Sequence, residues 1–231
     1  MPSLSGTTRR RGSGQRYGIT QAAGLAAASY SAMSHSILRP RIRKALDAAD
    51  VQAYMLDTGL LLIPGSNSAV DYLRYNVRLL NVGGTQYKVK NGATGQVLGR
   101  VWHQGFLAHA MLIHKTFKDT PPTFIIGHSL GAASAQVLSL LWGVPAIGFA
   151  APRIYAGGMA VNNSQKCLCL WRGDDPVGQL PSSRFRHAGL SVRLGKSLST
   201  GLLNHNMRHY TQAISDPNHR SVVPERWPVT A

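Results

Sequence analysis

Acidic residues are scarce: nine Asp and Glu stand against 25 Lys and Arg, for a formal charge of +16 at neutral pH. Such a balance favours anionic partners such as phospholipid surfaces, nucleic acid or phosphate-bearing substrates, and carries no information about fold. Cysteine is scarcer. Cys167 and Cys169 are the only two, set two apart in an apparent strand, where their side chains run parallel and bridge poorly. A disulfide framework is therefore excluded, as is a zinc site built on two ligands. No run approaches the roughly 20 consecutive apolar residues that span a bilayer, which excludes a transmembrane helix. Internal repeats and low-complexity blocks are also lacking.

The first acidic residue is Asp47, and "TTRRRGSGQRYGITQAAGLAAASYSA" joins an Arg cluster to an Ala/Gly-rich segment. Arg16 and scattered polar residues interrupt any clean apolar core of an export signal, so residues 1–18 are expected to be a flexible basic tail. A cytoplasmic protein is slightly favoured over an exported one. Residues 19–231 are expected to form a single domain, because 231 residues at 44 % apolar content support one substantial core.

What is present alternates strand and helix. Thr20–Ser34 is helix-prone, and "RIRKALDAADV" reads as a second helix. In "VQAYMLDTGLLLIPG" two apolar runs flank Asp57-Thr58-Gly59, a hairpin signal that leaves Gly65 just past a strand end. "SAVDYLRYNVRLL" sets Val70, Leu73, Val77 and Leu80 on one helical face, with Arg74 and Arg78 opposite. "TQYKVKNGATGQVLGRVWHQGF" is strand-like with a turn at Asn91-Gly92. A helix from Phe106 to Phe117, a strand "TFIIGH", a helix from Leu130 to Trp142, the buried strands "VPAIGFAAP" and "KCLCLWRG", and a late helix "HNMRHYTQAI" follow. This alternation predicts an α/β domain whose mostly parallel sheet carries helices on both faces.

The stretch "FIIGHSLGAASAQVL" runs from an apolar strand into a small-residue helix through Gly127-His128-Ser129-Leu130-Gly131. Gly-x-Ser-x-Gly alone is a weak signal, but here it sits where a strand turns sharply into a helix. Such a bend can hold the serine in a strained conformation at its apex, provided the residues two positions either side are too small to collide. The helix N-terminus beyond it directs amide donors over the hydroxyl.

A serine hydroxyl needs a base, and the base needs an orienting group. After Ser129 the only acids are Asp174, Asp175, Asp216 and Glu225, and "WRGDDPVGQLPS" places the first two directly after a strand. Downstream histidines are His187, His205, His209 and His219; His205 and His209 open a helix after a loop, whereas His187 lies in an Arg-rich strand-like run that suits a structural role. The order Ser, Asp, His is that of an α/β-hydrolase. His109 and His114, five apart without nearby acids, suit core-edge or solvated positions, and His103 suits a structural one.

Five stretches in order resemble the class 3 lipase family, the fungal-lipase-like branch of the α/β-hydrolases: "IPGSNSAVDYLRYN", "VWHQGF", "FIIGHSLGAASA", "FAAPR" and "DDPVGQLP". The resemblance covers about residues 60 to 210. It implies the α/β-hydrolase fold, Ser129 as nucleophile, Asp175 as acid and His205 as base, with Asp174 and His209 the neighbouring alternatives. It also implies an oxyanion hole formed by the Leu130 amide and by Ser66 through its amide or hydroxyl. The chain departs from the family pattern at Ile63-Pro64, where an aromatic and an Arg are usual, and at Gly178, where proline is frequent.

The expected activity is hydrolysis of carboxylic esters of lipids, as a triacylglycerol lipase or phospholipase, with no cofactor and no metal. Residues 67–80 are weighed equally as a lid and as a packed surface helix. The positive charge would draw the protein to anionic membrane surfaces. Alternatives are an esterase or thioesterase acting on small soluble substrates and, less favoured because no nucleic-acid motif or aromatic-interleaved basic run occurs, a basic nucleic-acid-binding protein on a hydrolase-like scaffold. Oligomeric state has no signal in the sequence.

Overall fold

Apolar residues that alternate with period two place one set on each face of a central sheet. In the computed structural model, which describes residues 15–48, 50–65, 79–82, 85–88, 94–156, 166–181, 184–195, 205–217 and 222–229, that sheet has seven strands. They are β1 (Ile42–Ala48), β2 (Val51–Leu56), β3 (Leu60–Ile63), β4 (Phe124–His128), β5 (Ala146–Phe149), β6 (Cys167–Arg172) and β7 (Leu190–Leu194). Their spatial order follows the chain. From β3 to β7 every pairing is parallel, while β1–β2 and β2–β3 are antiparallel hairpins. The β2–β3 turn falls at Asp57-Thr58-Gly59, with Gly59 at a positive φ of 79° that suits glycine.

Among the described residues four α-helices cover the sheet: α1 (Ile19–Ala28), α2 (Gln104–Phe117), α3 (Leu130–Trp142) and α4 (Met207–Ser215). Leu61, Ile63 and Ile125 face α2 and α3, packing with Phe106, Ile113, Phe117 and Val137. Their neighbours Leu60, Leu62, Phe124 and Ile126 face the other way, toward Ile19 and Ala23 of α1 and Tyr210 and Ile214 of α4. The strands are apolar on both sides because both sides are covered, as a parallel sheet requires. Burying each large side chain contributes roughly 1.5–3 kcal/mol, so both layers are needed to stabilise the sheet.

Several expectations are corrected. Residues 42–48 are an edge strand, not a helix. As a helix this segment would bury little beyond Ile42 and Leu46. As a strand its backbone groups pair with β2, a bulge near Arg43 turns Ile42 and Leu46 toward opposite layers, and the Lys44 ammonium lies 5.6 Å from the Phe117 ring centre. Leu80 belongs to a strand, Leu79–Val82 paired with Thr85–Lys88, rather than to a helical face. Val70, Arg74 and their neighbours in the expected lid, and the Asn91-Gly92 turn, lie outside the described residues. A turn not anticipated occurs at Leu98-Gly99, joining Thr94–Val97 to Arg100–His103. Within the segment expected as tail, Tyr17–Gly18 pairs with Arg226–Trp227, and the Tyr17 ring meets Phe124 edge-on at 4.7 Å.

Cys167 and Cys169 are buried thiols with sulfurs 3.9 Å apart, and burial together with Cys167 pushes the Cys169 thiol well above its ordinary pKa. His114 stacks on Trp142. The buried His103 ring packs against Phe106 and Phe185. No helix among the described residues is long and apolar enough to cross a membrane.

Candidate active site

Ser129 stands at the junction of β4 and α3 with φ 55° and ψ −118°, a region that residues bearing a β-carbon rarely occupy. The two flanking glycines are required by close approach. A β-carbon on Gly127 would overlap the Gly131 carbonyl, and one on Gly131 would overlap the carbonyl of Ile63 at the end of β3. The bend is anchored by the Ser129 amide donating to the Phe149 carbonyl at 2.9 Å, tying β4 to β5. Leu130 is the first residue of α3, so its amide has no acceptor one turn back within the helix.

The hydroxyl of Ser129 donates to His205 Nε2 at 2.7 Å. His205, just ahead of α4, donates from Nδ1 to Asp175 Oδ2 at 2.9 Å. Because a carboxylate only accepts, this contact places the imidazole proton on Nδ1 and leaves the lone pair of Nε2 toward the serine. All three residues are buried. Asp175 follows β6, and its other oxygen accepts from the Val177 amide at 3.0 Å. Oδ2 takes a second donor, the Tyr210 hydroxyl, at 2.7 Å, and Tyr210 in turn accepts from the Arg172 amide at 3.2 Å. Burial alone would raise the Asp175 pKa, but the bonds and charge from His205, with the Tyr210 and Val177 donors, hold the carboxyl below its ordinary range. Burial first, then the Asp175 charge, pushes the Tyr210 phenol well above its own, so it remains a donor.

The alternatives sit elsewhere. Asp174 forms a two-point ion pair with Arg172, at 2.9 and 2.7 Å. The His209 carbonyl accepts from the same Arg172 at 3.0 Å. His187 donates from Nε2 to the Ala151 carbonyl at 2.8 Å. Ser66 lies outside the described residues, whereas Gly65 beside it is described, and its amide donates to the Tyr30 hydroxyl at 3.0 Å. A β-carbon on Gly178, one of the departures from the resembled pattern, would come within 2.6 Å of Trp171 Cβ, so the close approach favours glycine there. Among the described residues no group of three or more His, Cys, Asp or Glu could hold a metal ion.

Three side chains at the site escaped sequence reasoning: Tyr210, the donor to Asp175, and the pair His128 and Tyr30. His128, one residue before the serine, donates from Nε2 to the His205 carbonyl at 2.9 Å, and its Nδ1 meets the Tyr30 hydroxyl at 2.5 Å. The only sequence signal was the position of His128 inside the elbow motif. Tyr30, in an Ala/Ser-rich stretch 98 residues away, had none.

Two buried histidines, His109 and His128, and the partly buried His187 give the fold a pH signature. Burial lowers His109 and His128 to about 3 and His187 to about 4; at His128 the neighbouring His205 adds to the effect. In the unfolded chain each ring would take up a proton near pH 6.5, while the folded form refuses it until about pH 3 to 4. Stability should therefore fall as the pH drops below 6.5, by up to roughly 1.4 kcal/mol per pH unit for each ring. Asp175, with its depressed value, adds its own loss only in stronger acid. Urea midpoints at pH 7, 6 and 5 check this: a progressive fall is expected, and a flat profile would contradict a neutral state for these three rings in the fold.

No protein-family model matches the sequence, and a search of curated proteins finds no match. Solved structures do match. Lipase II from Rhizopus niveus superposes with a TM-score of 0.55 at 17% identity, covering 80% of this chain and 80% of its own. The Rhizomucor miehei triacylglyceride lipase gives 0.54 at 18% identity, over 76% of this chain and 78% of that one. The Yarrowia lipolytica LIP2 lipase gives 0.56 at 15% identity, over 84% and 86%. With its mostly parallel seven-stranded sheet, covered on both faces and bearing a serine at the bend after β4, the chain has the α/β-hydrolase fold of these fungal lipases.

Proposed function

We propose that the protein is a serine hydrolase that cleaves carboxylic ester bonds of lipids through an acyl-enzyme. The observation that carries this reading is the unbroken line from Ser129 Oγ through both nitrogens of His205 to Asp175, with 2.7 and 2.9 Å contacts, at a strained bend. His205 takes the serine proton as Oγ attacks the ester carbonyl, then returns it to the departing alcohol. Water repeats the sequence to release the acid. Asp175 holds the Nδ1–H tautomer and stabilises the imidazolium.

The tetrahedral oxyanion is held by the Leu130 amide at the α3 N-terminus and by a second donor from Ser66. Gly65 supplies no such donor while its amide is committed to Tyr30. Removing one oxyanion donor typically costs roughly 2.7–4 kcal/mol of transition-state stabilisation. The three fungal neighbours are lipases by name, which supports lipid esters as substrates. The formal charge of +16 further supports docking on anionic lipid surfaces, each near-surface cation contributing roughly 1 kcal/mol.

Hydrolysis of p-nitrophenyl esters of increasing chain length, with and without emulsified triacylglycerol or anionic phospholipid vesicles, tests the assignment. Ser129-dependent turnover that rises with chain length and at the interface is expected. Turnover confined to short soluble esters would make the protein an esterase on the same machinery, and none on any ester would refute the reading.

A further inference from the structure

Resting on this hydrolase reading, we infer that Tyr30 is a positioning residue of the site, its hydroxyl closing a hydrogen-bonded chain that holds the ends of β3 and β4 and the backbone of the base in register. The chain has one consistent direction. The His205 carbonyl can only accept, so His128 Nε2 carries the ring proton and donates to it at 2.9 Å. His128 Nδ1 is then a lone pair that takes the Tyr30 O–H at 2.5 Å. The Tyr30 oxygen in turn accepts the Gly65 N–H at 3.0 Å. Burial keeps His128 neutral and Tyr30 protonated, so no competing protonation state disturbs the order.

The chain touches the backbone beside the nucleophile and at the base. Gly65 directly precedes Ser66, His128 directly precedes Ser129, and the carbonyl belongs to His205 itself. Packing reinforces it. A β-carbon on Gly65 would lie 2.5 Å from the Tyr30 hydroxyl and 2.9 Å from Ser129 Cβ, so the end of β3 is pressed against the nucleophile with the tyrosine behind it. The His128 ring also tilts over the His205 ring, with centroids 5.0 Å apart. Without the hydroxyl, two buried polar groups, the Gly65 N–H and His128 Nδ1, lose their partner at once, and relaxation of either moves backbone that packs on or leads into Ser129.

Tyr30→Phe, His128→Gln and the double variant, measured as the full chain on a soluble p-nitrophenyl ester, test this. Glutamine can donate to the His205 carbonyl as His128 Nε2 does, but its one acceptor, Oε1, does not occupy the Nδ1 position, so the bond from the Tyr30 hydroxyl is broken or displaced. Tyr30→Phe is expected to lower kcat about 10- to 100-fold with KM within about two-fold, the rate of fluorophosphonate labelling falling in parallel. In the His128→Gln background the same change should cost less than about three-fold, because the chain is already broken. Urea midpoints establish the folded fraction to which each rate is referred. A kcat within two-fold of wild type for Tyr30→Phe, or effects that multiply independently, would overturn the inference while leaving the hydrolase reading intact. Absence of Ser129-dependent turnover in the wild type would instead remove that reading, and the inference with it.

Discussion

Ser129→Gly and Ser129→Ala should both lose ester turnover, by about six orders of magnitude in kcat, yet differ from each other in stability. Both delete the hydroxyl and leave His205 Nε2 without its 2.7 Å partner, so that cost is common to them. They differ in the backbone. At φ 55° and ψ −118° a β-carbon is strained, whereas glycine enters this region freely. The glycine variant is therefore expected to be the more stable by about 1 kcal/mol, since alanine at a positive φ forfeits more than it recovers from restricting the unfolded chain. Urea denaturation of the pair reads the strain held at the bend, and esterase assays read the chemistry. Equal stabilities would remove the strained apex from the account; retained turnover would remove the nucleophile.

Asp175→Asn should lower kcat by about four orders of magnitude without displacing the loop that carries it. The carboxylate serves three donors: Oδ1 takes the Val177 amide, and Oδ2 takes His205 Nδ1–H and the Tyr210 hydroxyl. An asparagine has one accepting oxygen. Whichever way its amide turns, an N–H faces a donor, and the surviving arrangement either releases the His205 tautomer or strands the Val177 amide. The misplaced buried donor also destabilises the fold, by roughly 1–3 kcal/mol. Asp174→Asn is the control. It weakens the ion pair with Arg172 and leaves the His205–Asp175 contact in place, so kcat should stay within a few-fold. A loss at Asp174 as large as that at Asp175 would contradict the assignment of the acid.

The contrast between those neighbouring carboxylates shows where the sequence is legible. The elbow, the hairpin at residues 57–59 and the strand-to-helix alternation are local: periodicity, small residues and turn chemistry state them directly, and the structure places them as expected. Choosing between Asp174 and Asp175 is not local, because it depends on Arg172 reaching over one of them and on Tyr210 arriving from a helix 35 residues later. Residues 42–48 mislead for a related reason. Ile42 and Leu46 lie four apart, as on a helical face, and only pairing with β2 makes the segment a strand. Tyr30 is the extreme case, its role written entirely in partners 35 and 98 residues away.

The most direct test of the central claim, that Ser129 is an activated nucleophile, is to treat the folded protein with a fluorophosphonate and map the modified peptide by mass spectrometry. The account predicts one adduct per chain, on Ser129, and none after denaturation or in Ser129→Ala. An adduct on another residue, or a folded protein that resists labelling, would contradict it.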